Sequence, residues 1–527
     1  MLKNLYPQKI QKSLGSALVK YRNFFGCAFG ILIGLSAATP LFALQLDWNG
    51  QFWFDQTWLN NHQLDRNVYS DHNDPTLSSN GSQYIPGVGE RNIVWYAAFL
   101  ILKPKIIVND SIRIFSEWHV GSPTTGFFGR SFPSNGSERY TLMGSARDNM
   151  TIGAQRFWAS LITDFGTIDL GRAPLHWGLG AIWNSGDHLF NRYQSTGDLI
   201  RLTSKFGNFI IAPMLMKIAS GNNAGGASNN AGSPIAGNDD VTDYGVSVKY
   251  DNSEEDFELG AYWNRRIANA AQSSLYASPA NQNGGSARFD YNMIDFFVRK
   301  KLGHYTFGLE IPYVSGKIGS LDGAGDFDYK AFAAILETKY TSDIWDIYLK
   351  AGHVPGQPNS SGGNGSTYRA MHLHNSYDLG LILYQFNLLG MGNNSLNSQT
   401  AGAVVSPYDA TITNANYLML RPEVKLDKWT LKAAFVAAWA DKTATSGENF
   451  FNHETRRFYR ASSSQSKFMG FETDFGTYFQ WDENILLGLD FGLFFPGGYY
   501  SFRNTGASVP TDLSPMFASQ LKVGVAF

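Results

Sequence analysis

Along much of this chain apolar and polar residues alternate one for one, the side-chain period of a β-strand and not of a helix. In Ile485–Leu493 the odd positions carry Ile, Leu, Leu, Phe and Leu, with Leu486, Gly488, Asp490 and Gly492 between them. Leu431, Ala433, Phe435, Ala437 and Trp439 share one face, and Lys432 points the other way. Trp345, Ile347, Leu349 and Ala351 alternate with Asp346, Tyr348 and Lys350; Tyr244, Val246, Val248 and Tyr250 alternate with Gly245, Ser247 and Lys249. The last residues, Met516–Phe527, put Phe517, Leu521, Val523, Val525 and Phe527 on one side, broken only by Ser519, and Ala518, Gln520, Lys522, Gly524 and Ala526 on the other. Ionisable residues fall repeatedly on the less apolar face. A soluble β-sandwich shows the same alternation, so this pattern alone leaves two architectures open.

The connections choose between them. Short turns are expected at Asn109 and Asp110, Asp164–Gly166, Phe206–Asn208, Asp251–Asp256, Lys301–His304, Thr341–Asp343, Leu426–Lys428 and Gln480–Asn484. Long stretches rich in Asn, Gly, Ser and Pro separate them, near 60–90, 122–148, 175–197, 220–240, 266–288, 315–326, 354–412, 441–465 and 495–514. Strict alternation of short and long connections is the habit of outer-membrane barrels, with periplasmic turns below and extracellular loops above. An opening strand near Leu44–Leu59, eight short-turn hairpins and a closing strand make eighteen strands, within a range of sixteen to twenty. The expected fold is therefore all-β, a transmembrane antiparallel β-barrel with long extracellular or inward-folded loops. Within 354–412, the apolar segment Tyr377–Leu389 is compatible with a loop, a helix folded into the lumen or an extra hairpin.

Residues 1–43 hold Lys3, Lys9, Lys12, Lys20 and Arg22, no acidic residue, and an apolar run Phe24–Ala38 ending on small residues. That is the layout of a cleaved Sec-type signal peptide, with exit after Ala43 or Ala38. The run is too short to span a bilayer as a helix. Cys27 precedes most of it, which excludes a lipoprotein signal. The barrel is then expected over 44–527, with no cysteine and no amino-terminal plug of the kind that marks TonB-dependent transporters. Its 42 basic residues less those five leave 37 against 44 acidic, a net charge of −7 that argues against a nucleic-acid partner. With 38 Phe, 26 Tyr, 13 Trp and 54 Gly, the composition is aromatic-rich, glycine-rich and still polar on average, as lipid-facing strands diluted by lumen and loop residues require.

In a barrel of this size, function lies in the lumen lining. Strand parity turns Arg113, Arg201, Lys249, Arg299, Lys350, Arg421, Lys432 and Lys522 inward, together with Glu117, Asp169, Glu258, Asp295, Asp346, Glu423, Glu472, Asp474 and Asp490. The two signs balance. The segment from Gly171 and Arg172 through His176, Trp177, Gly178, Gly180 and Trp183 to Asp187 leaves a strand and enters a loop. Glycine allows close backbone approach, and Trp and Arg offer stacking and bidentate hydrogen bonds. The segment suits a constriction facing a sugar or organic anion. The plainer alternative is a loop folded in to stabilise the barrel.

Gly171, Arg172, Trp177, Gly178, Asp187 and Asp198–Arg201 resemble short motifs of alginate-export-like porins. His372–Leu379 and Asn416–Pro422 resemble related outer-membrane proteins of predatory and myxobacterial lineages. The resemblance implies an eighteen-stranded porin and carries over Arg172, Asp187, Arg201 and Arg421 as lumen residues. A balanced lumen does not match the arginine-lined one of the alginate exporter.

No zinc-protease, nucleophile-elbow or phosphate-loop motif is present, and no enzyme is expected. His374, Asn375 and Ser376 are adjacent in sequence, so a strand would point them to opposite faces. His62, His72, Asp65, Asp71 and Asp74 form a loop cluster with metal-binding residue types, but a solvated loop is the simpler reading; no metal and no cofactor are expected. Expected partners are outer-membrane lipid and lipopolysaccharide, the barrel-insertion machinery through the strand Phe517–Phe527, and small hydrophilic solutes. A monomer is expected rather than the trimer common among porins.

Overall fold

The computed structural model describes residues 45–62, 64, 92–121, 152–219, 241–268, 289–321, 324–359, 367–386, 388, 408, 410–453, 457–461, 463–502 and 513–527. The expected signal peptide at 1–43 and the loop residues Asp65, Asp71, His72 and Asp74 lie outside them. Of that loop cluster His62 is described, and it is buried.

Eighteen strands form one closed antiparallel barrel. In chain order they are β1 (Gln45–Asn60), β2 (Asn92–Ile107), β3 (Ile112–Val120), β4 (Ile152–Thr163), β5 (Gly166–Pro174), β6 (Thr196–Phe206), β7 (Phe209–Ala219), β8 (Val241–Asn252) and β9 (Phe257–Ala268). β10 (Phe289–Leu302), β11 (Tyr305–Leu321), β12 (Ala324–Phe332 and Ala334–Thr341, interrupted at Ala333), β13 (Trp345–Val354) and β14 (Ala415–Leu426) follow. The barrel ends with β15 (Trp429–Ala440), β16 (Phe468–Gln480), β17 (Ile485–Pro496) and β18 (Met516–Ala526). Each strand pairs with its neighbours in sequence, and β18 closes on β1 from Gln51 opposite Ala526 to Asn60 opposite Phe517. All eight expected short turns are present. The sequence 315–326, expected as a long connection, is instead strand to Leu321 and again from Ala324. Its Gly and Ser residues accommodate register shifts at Lys317, Gly319 and Leu321 while Val314 and Ile318 stay buried. Tyr377–Leu389 supplies no strand: its described residues form bends and turns inside the barrel.

The two faces of the wall differ as the alternation implies. Outward positions are exposed and apolar, among them Trp58, Phe157, Ile200, Leu215, Trp263, Phe296, Leu431, Phe435, Trp439, Phe475, Phe491 and Leu521. Near the short turns they become aromatic, with Phe165, Phe206, Phe209, Trp345, Trp429 and Trp481 exposed. The main buried cluster lies inside, where Trp177, Leu373, Leu379, Ile382, Leu383, Phe386 and Tyr408 of inward loops meet wall residues such as Tyr262, Phe297, Tyr417, Val436 and Phe494.

Closure of the ring is tight at Gly50. Its amide donates to the Phe527 carbonyl at 2.8 Å, and the Phe527 amide donates back at 3.0 Å. A Cβ there would lie 2.6 Å from the Ile101 carbonyl and 2.7 Å from the Phe527 ring. Gly50→Val is therefore expected to strain the β1–β18 seam by about 1–3 kcal/mol and to lower the yield of folded, heat-modifiable barrel on gels; an unchanged yield would show that the seam relaxes.

Candidate functional site

Two loops cross the lumen. The first, 175–195, runs from β5 to β6 and is a nested hairpin: Leu175 N–H donates to Ser195 O at 3.0 Å, Trp177 N–H to Trp183 O at 3.0 Å and Ser195 N–H to Asn184 O at 2.6 Å. One side of it docks on β9–β11. The Trp177 indole lies over Gly260 and contacts the Tyr262 and Phe297 rings at 5.7 and 6.3 Å between centroids, and Leu179 covers Gly308. The other side reaches β1–β4. Asp187 pairs with Arg156 at 3.0 Å and Lys103 at 3.2 Å. Leu189 and Phe190 pack on Trp53, Phe99 and Ile101. Arg192 pairs with buried Asp55 at 2.6 Å and stacks on Tyr408, 3.7 Å from the ring centre.

The second loop, 355–414, joins β13 to β14. It meets the first where His374 N–H donates to Ala181 O at 2.7 Å and Ser376 Oγ donates to Tyr193 O at 2.8 Å. Tyr408 is held against the opposite wall by Trp95 Nε1 at 2.8 Å and Thr57 Oγ1 at 2.9 Å. Ser376 Oγ is thus engaged with a carbonyl, while His374 Nδ1 accepts the Ser376 amide at 3.1 Å. The triplet His374, Asn375 and Ser376 is loop scaffolding.

Between the loops and the wall remains a cavity of ≈ 250 Å³ whose lining includes Arg192, Asp378, Arg421, Lys432, Asp490 and Lys522. On the wall, Lys432 and Lys522 both reach Asp490 at 2.9 Å, and Tyr478 donates to it at 2.6 Å. Arg421 pairs with Glu423 at 2.9 Å and lies 4.5 Å over the Tyr348 ring. Burial opposes ionisation of Asp378, but the charges of Lys350 and Arg421 outweigh it and hold its carboxyl below the ordinary value. Asp187 is lowered in the same way, with the Ser185 hydrogen bond and the Arg156 and Lys103 charges overcoming burial.

Of the residues expected at a constriction, Arg421 and Lys432 line this cavity. Lys350 sits beside it, 3.2 Å from Glu337 and 4.3 Å over the Tyr377 ring. Glu117, beneath the first loop, is buried and pairs with Arg156 at 2.9 Å and His119 at 2.7 Å. Arg201 faces inward on Asp169 at 2.7 Å, and Arg299 pairs with Glu258 across β9 and β10. Arg113 is half-buried on the inward face of β3, in line with Glu117. His176 lies within the field of Asp187, Arg299 and Lys249, and burial lowers its pKa. Trp177 is packed on the wall, so it stabilises the loop.

Arg172 is a correction. Leu170 and Ile200 are exposed on the outside while Ala173 and Leu199 are buried inside, and Arg172 pairs with Asp198, at 2.6 Å, on the outer side of β5 and β6. Its place just before a loop made it look like a lumen residue, but parity along β5 puts it outside. Sequence reasoning missed Arg192, Asp378 and Tyr408, because strand parity has no meaning in loops. It also missed Arg156, which lies next to a register shift between β3 and β4.

No protein-family model matches the chain, and no curated protein matches it; the family suggested by the short motifs is therefore not established. Solved structures that are similar include Pseudomonas aeruginosa OccK2 (OpdF), at 12% identity over 91% of this chain and 98% of that one with TM-score 0.44. A BenF-like porin from Pseudomonas fluorescens is 11% identical over 92% and 98%, with TM-score 0.45. OmpT of Vibrio cholerae is 9% identical over 92% and 98%, with TM-score 0.35.

His374 donates its backbone amide to the first loop while its ring accepts the Ser376 amide within the second, and burial with the nearby His176 lowers its pKa to about 4. A histidine depressed below its unfolded value favours the native loop fully above about pH 6.5 and loses that contribution as pH falls toward about 4, at up to about 1.4 kcal/mol per pH unit. Protease protection of the loop is expected to fall between pH 7 and pH 5, and His374→Gln to flatten that dependence.

Proposed function

We propose that this chain is an outer-membrane channel through which small hydrophilic solutes diffuse passively. One observation carries the reading: an apolar, aromatic-edged exterior surrounds a lumen lined with paired charges and holding a polar cavity. Lipid is the solvent that suits such an outside, and a closed ring leaves no backbone edge exposed to it. Charged side chains on the inner wall suit water and polar solutes. In this reading the described residues of two long connections, 175–195 and 355–414, fold into the lumen and narrow the passage.

The finer reading is a preference for sugars or small organic anions. Arg192, Arg421, Lys432 and Lys522 provide cationic donors around the cavity, and Tyr408 and Tyr478 provide ring faces and hydroxyls. Export by a signal peptide, contact with lipopolysaccharide, recognition of Phe517–Phe527 by the insertion machinery and a monomeric state complete the proposal. The channel requires no cofactor and performs no catalysis. An adhesive barrel acting through its extracellular loops is the second reading; a charged, cavity-bearing lumen favours the first.

Single-channel recording of the refolded chain in a planar bilayer tests this. Discrete conductance steps are expected, with a reversal potential near zero in a salt gradient because most lumen cations are paired. In Asp490→Asn, Lys432 and Lys522 lose their shared counter-ion, and selectivity is expected to shift toward anions. A folded barrel that does not conduct would overturn the channel.

A further inference from the structure

Wall carboxyls on two strands grip the two inward loops by the same device. On β11, Glu310 accepts the Leu179 amide, and the amides of Ala181 and Ile182 are turned toward the same carboxyl. On β16, Glu472 accepts the amides of Ile382 and Leu383, each at 2.7 Å, and Asp474 accepts that of Leu381 at 3.0 Å. Successive backbone N–H groups curled around an acceptor form a nest, here with the acceptor oxygens supplied by the protein's own wall.

Each nest is entered by a Gly-Leu pair, Gly178-Leu179 and Gly380-Leu381. A Cβ on Gly380 would lie 2.6 Å from Glu472 Oε1, and one on Gly178 would run into the Glu310 carboxylate. Gly178 also has φ +57°, in the left-handed region that favours glycine. Both glutamates are fully buried, so these hydrogen bonds are shielded from competing water. Two residues before the second nest stands Asp378, which lines the cavity; the first loop carries Arg192 to the same cavity. The loops are joined to one another through His374 and Ser376, so neither nest can release without disturbing that junction.

We propose that Glu310 and Glu472 are positioning residues of the channel: each holds one inward loop by its backbone amides, and together they set the width and charge placement of the constriction. The proposal rests on the channel reading above. Neither residue need touch the solute; each acts through the loop it holds.

The test records single channels of the wild type, Glu472→Gln and Gly380→Ala. The first variant replaces one of the two acceptor oxygens with an amide donor, and the second wedges a methyl group between the loop and an unchanged wall. Both are expected to fold, judged by heat-modifiable migration, and to spend roughly tenfold more time in a higher-conductance state as the hydrogen bonds that hold the loop are lost. In liposome swelling they should admit larger neutral sugars than the wild type does. A merely structural role would lower folding yield without enlarging the pore. Folded variants with wild-type conductance and size limit would overturn the positioning role and leave the channel standing. Loss of the folded barrel in both variants also counts against it, because the nests hold loops and not the wall. A silent wild type would overturn the channel reading itself.

Discussion

The structure depends on a ring of backbone ladders in which each strand of the wall is hydrogen-bonded to both of its neighbours. A flat sheet of these strands would leave two edges, each a row of unpaired N–H and C=O groups. Joining β18 to β1 removes both. Closure also divides the side chains: one strand face turns to the outside and the other to an enclosed lumen. From that division follow the exposed apolar exterior, the charged interior and the assignment of function to whatever stands inside. Gly50 shows how close the seam is, since the Phe527 ring occupies the space a side chain would need.

A lumen of this kind has to keep ionised groups soluble without leaving them uncompensated. Cross-strand pairing does so in most places, as with Arg201 and Asp169, Arg266 and Asp243, and Lys432 and Lys522 around Asp490. Such pairs let charged side chains line the inner wall without leaving them uncompensated. At Asp490 two lysines share one carboxylate beside the cavity, as Lys339 and Lys425 share Asp346 elsewhere on the wall. The Asp490 group places positive charge beside the cavity, which suits the proposed preference for organic anions.

Inside the ring, the loops find the buried contacts that the wall alone cannot make. Trp177 on Gly260, Leu179 on Gly308 and Leu189 on Gly524 show one recurring solution: a large loop side chain set over a glycine of an inward strand position. Small wall residues make room, apolar loop residues fill it, and the loop backbone is tied to carboxylates or to the other loop. A long connection of 354–412 is unfavourable as free chain and becomes affordable when its apolar residues are buried in the lumen.

Period-two alternation, eight short turns and the placement of long connections determined the architecture, because each strand's two faces and each tight turn are local properties of the sequence. Eighteen strands, the outward faces of Leu431–Trp439 and Ile485–Leu493, and inward Arg201, Arg421, Lys432 and Asp490 were all legible in this way. The 315–326 segment was not, since its glycines read as loop while in the fold they serve a bulged strand. Arg172 was misplaced because a strand's last residues and a loop's first cannot be told apart without the partner strand. The cavity itself belongs to tertiary structure. Arg192, Asp378 and Tyr408 come together from distant loops, and no local period relates them; only the closed wall, which dictates where each loop can pack, brings them to one place.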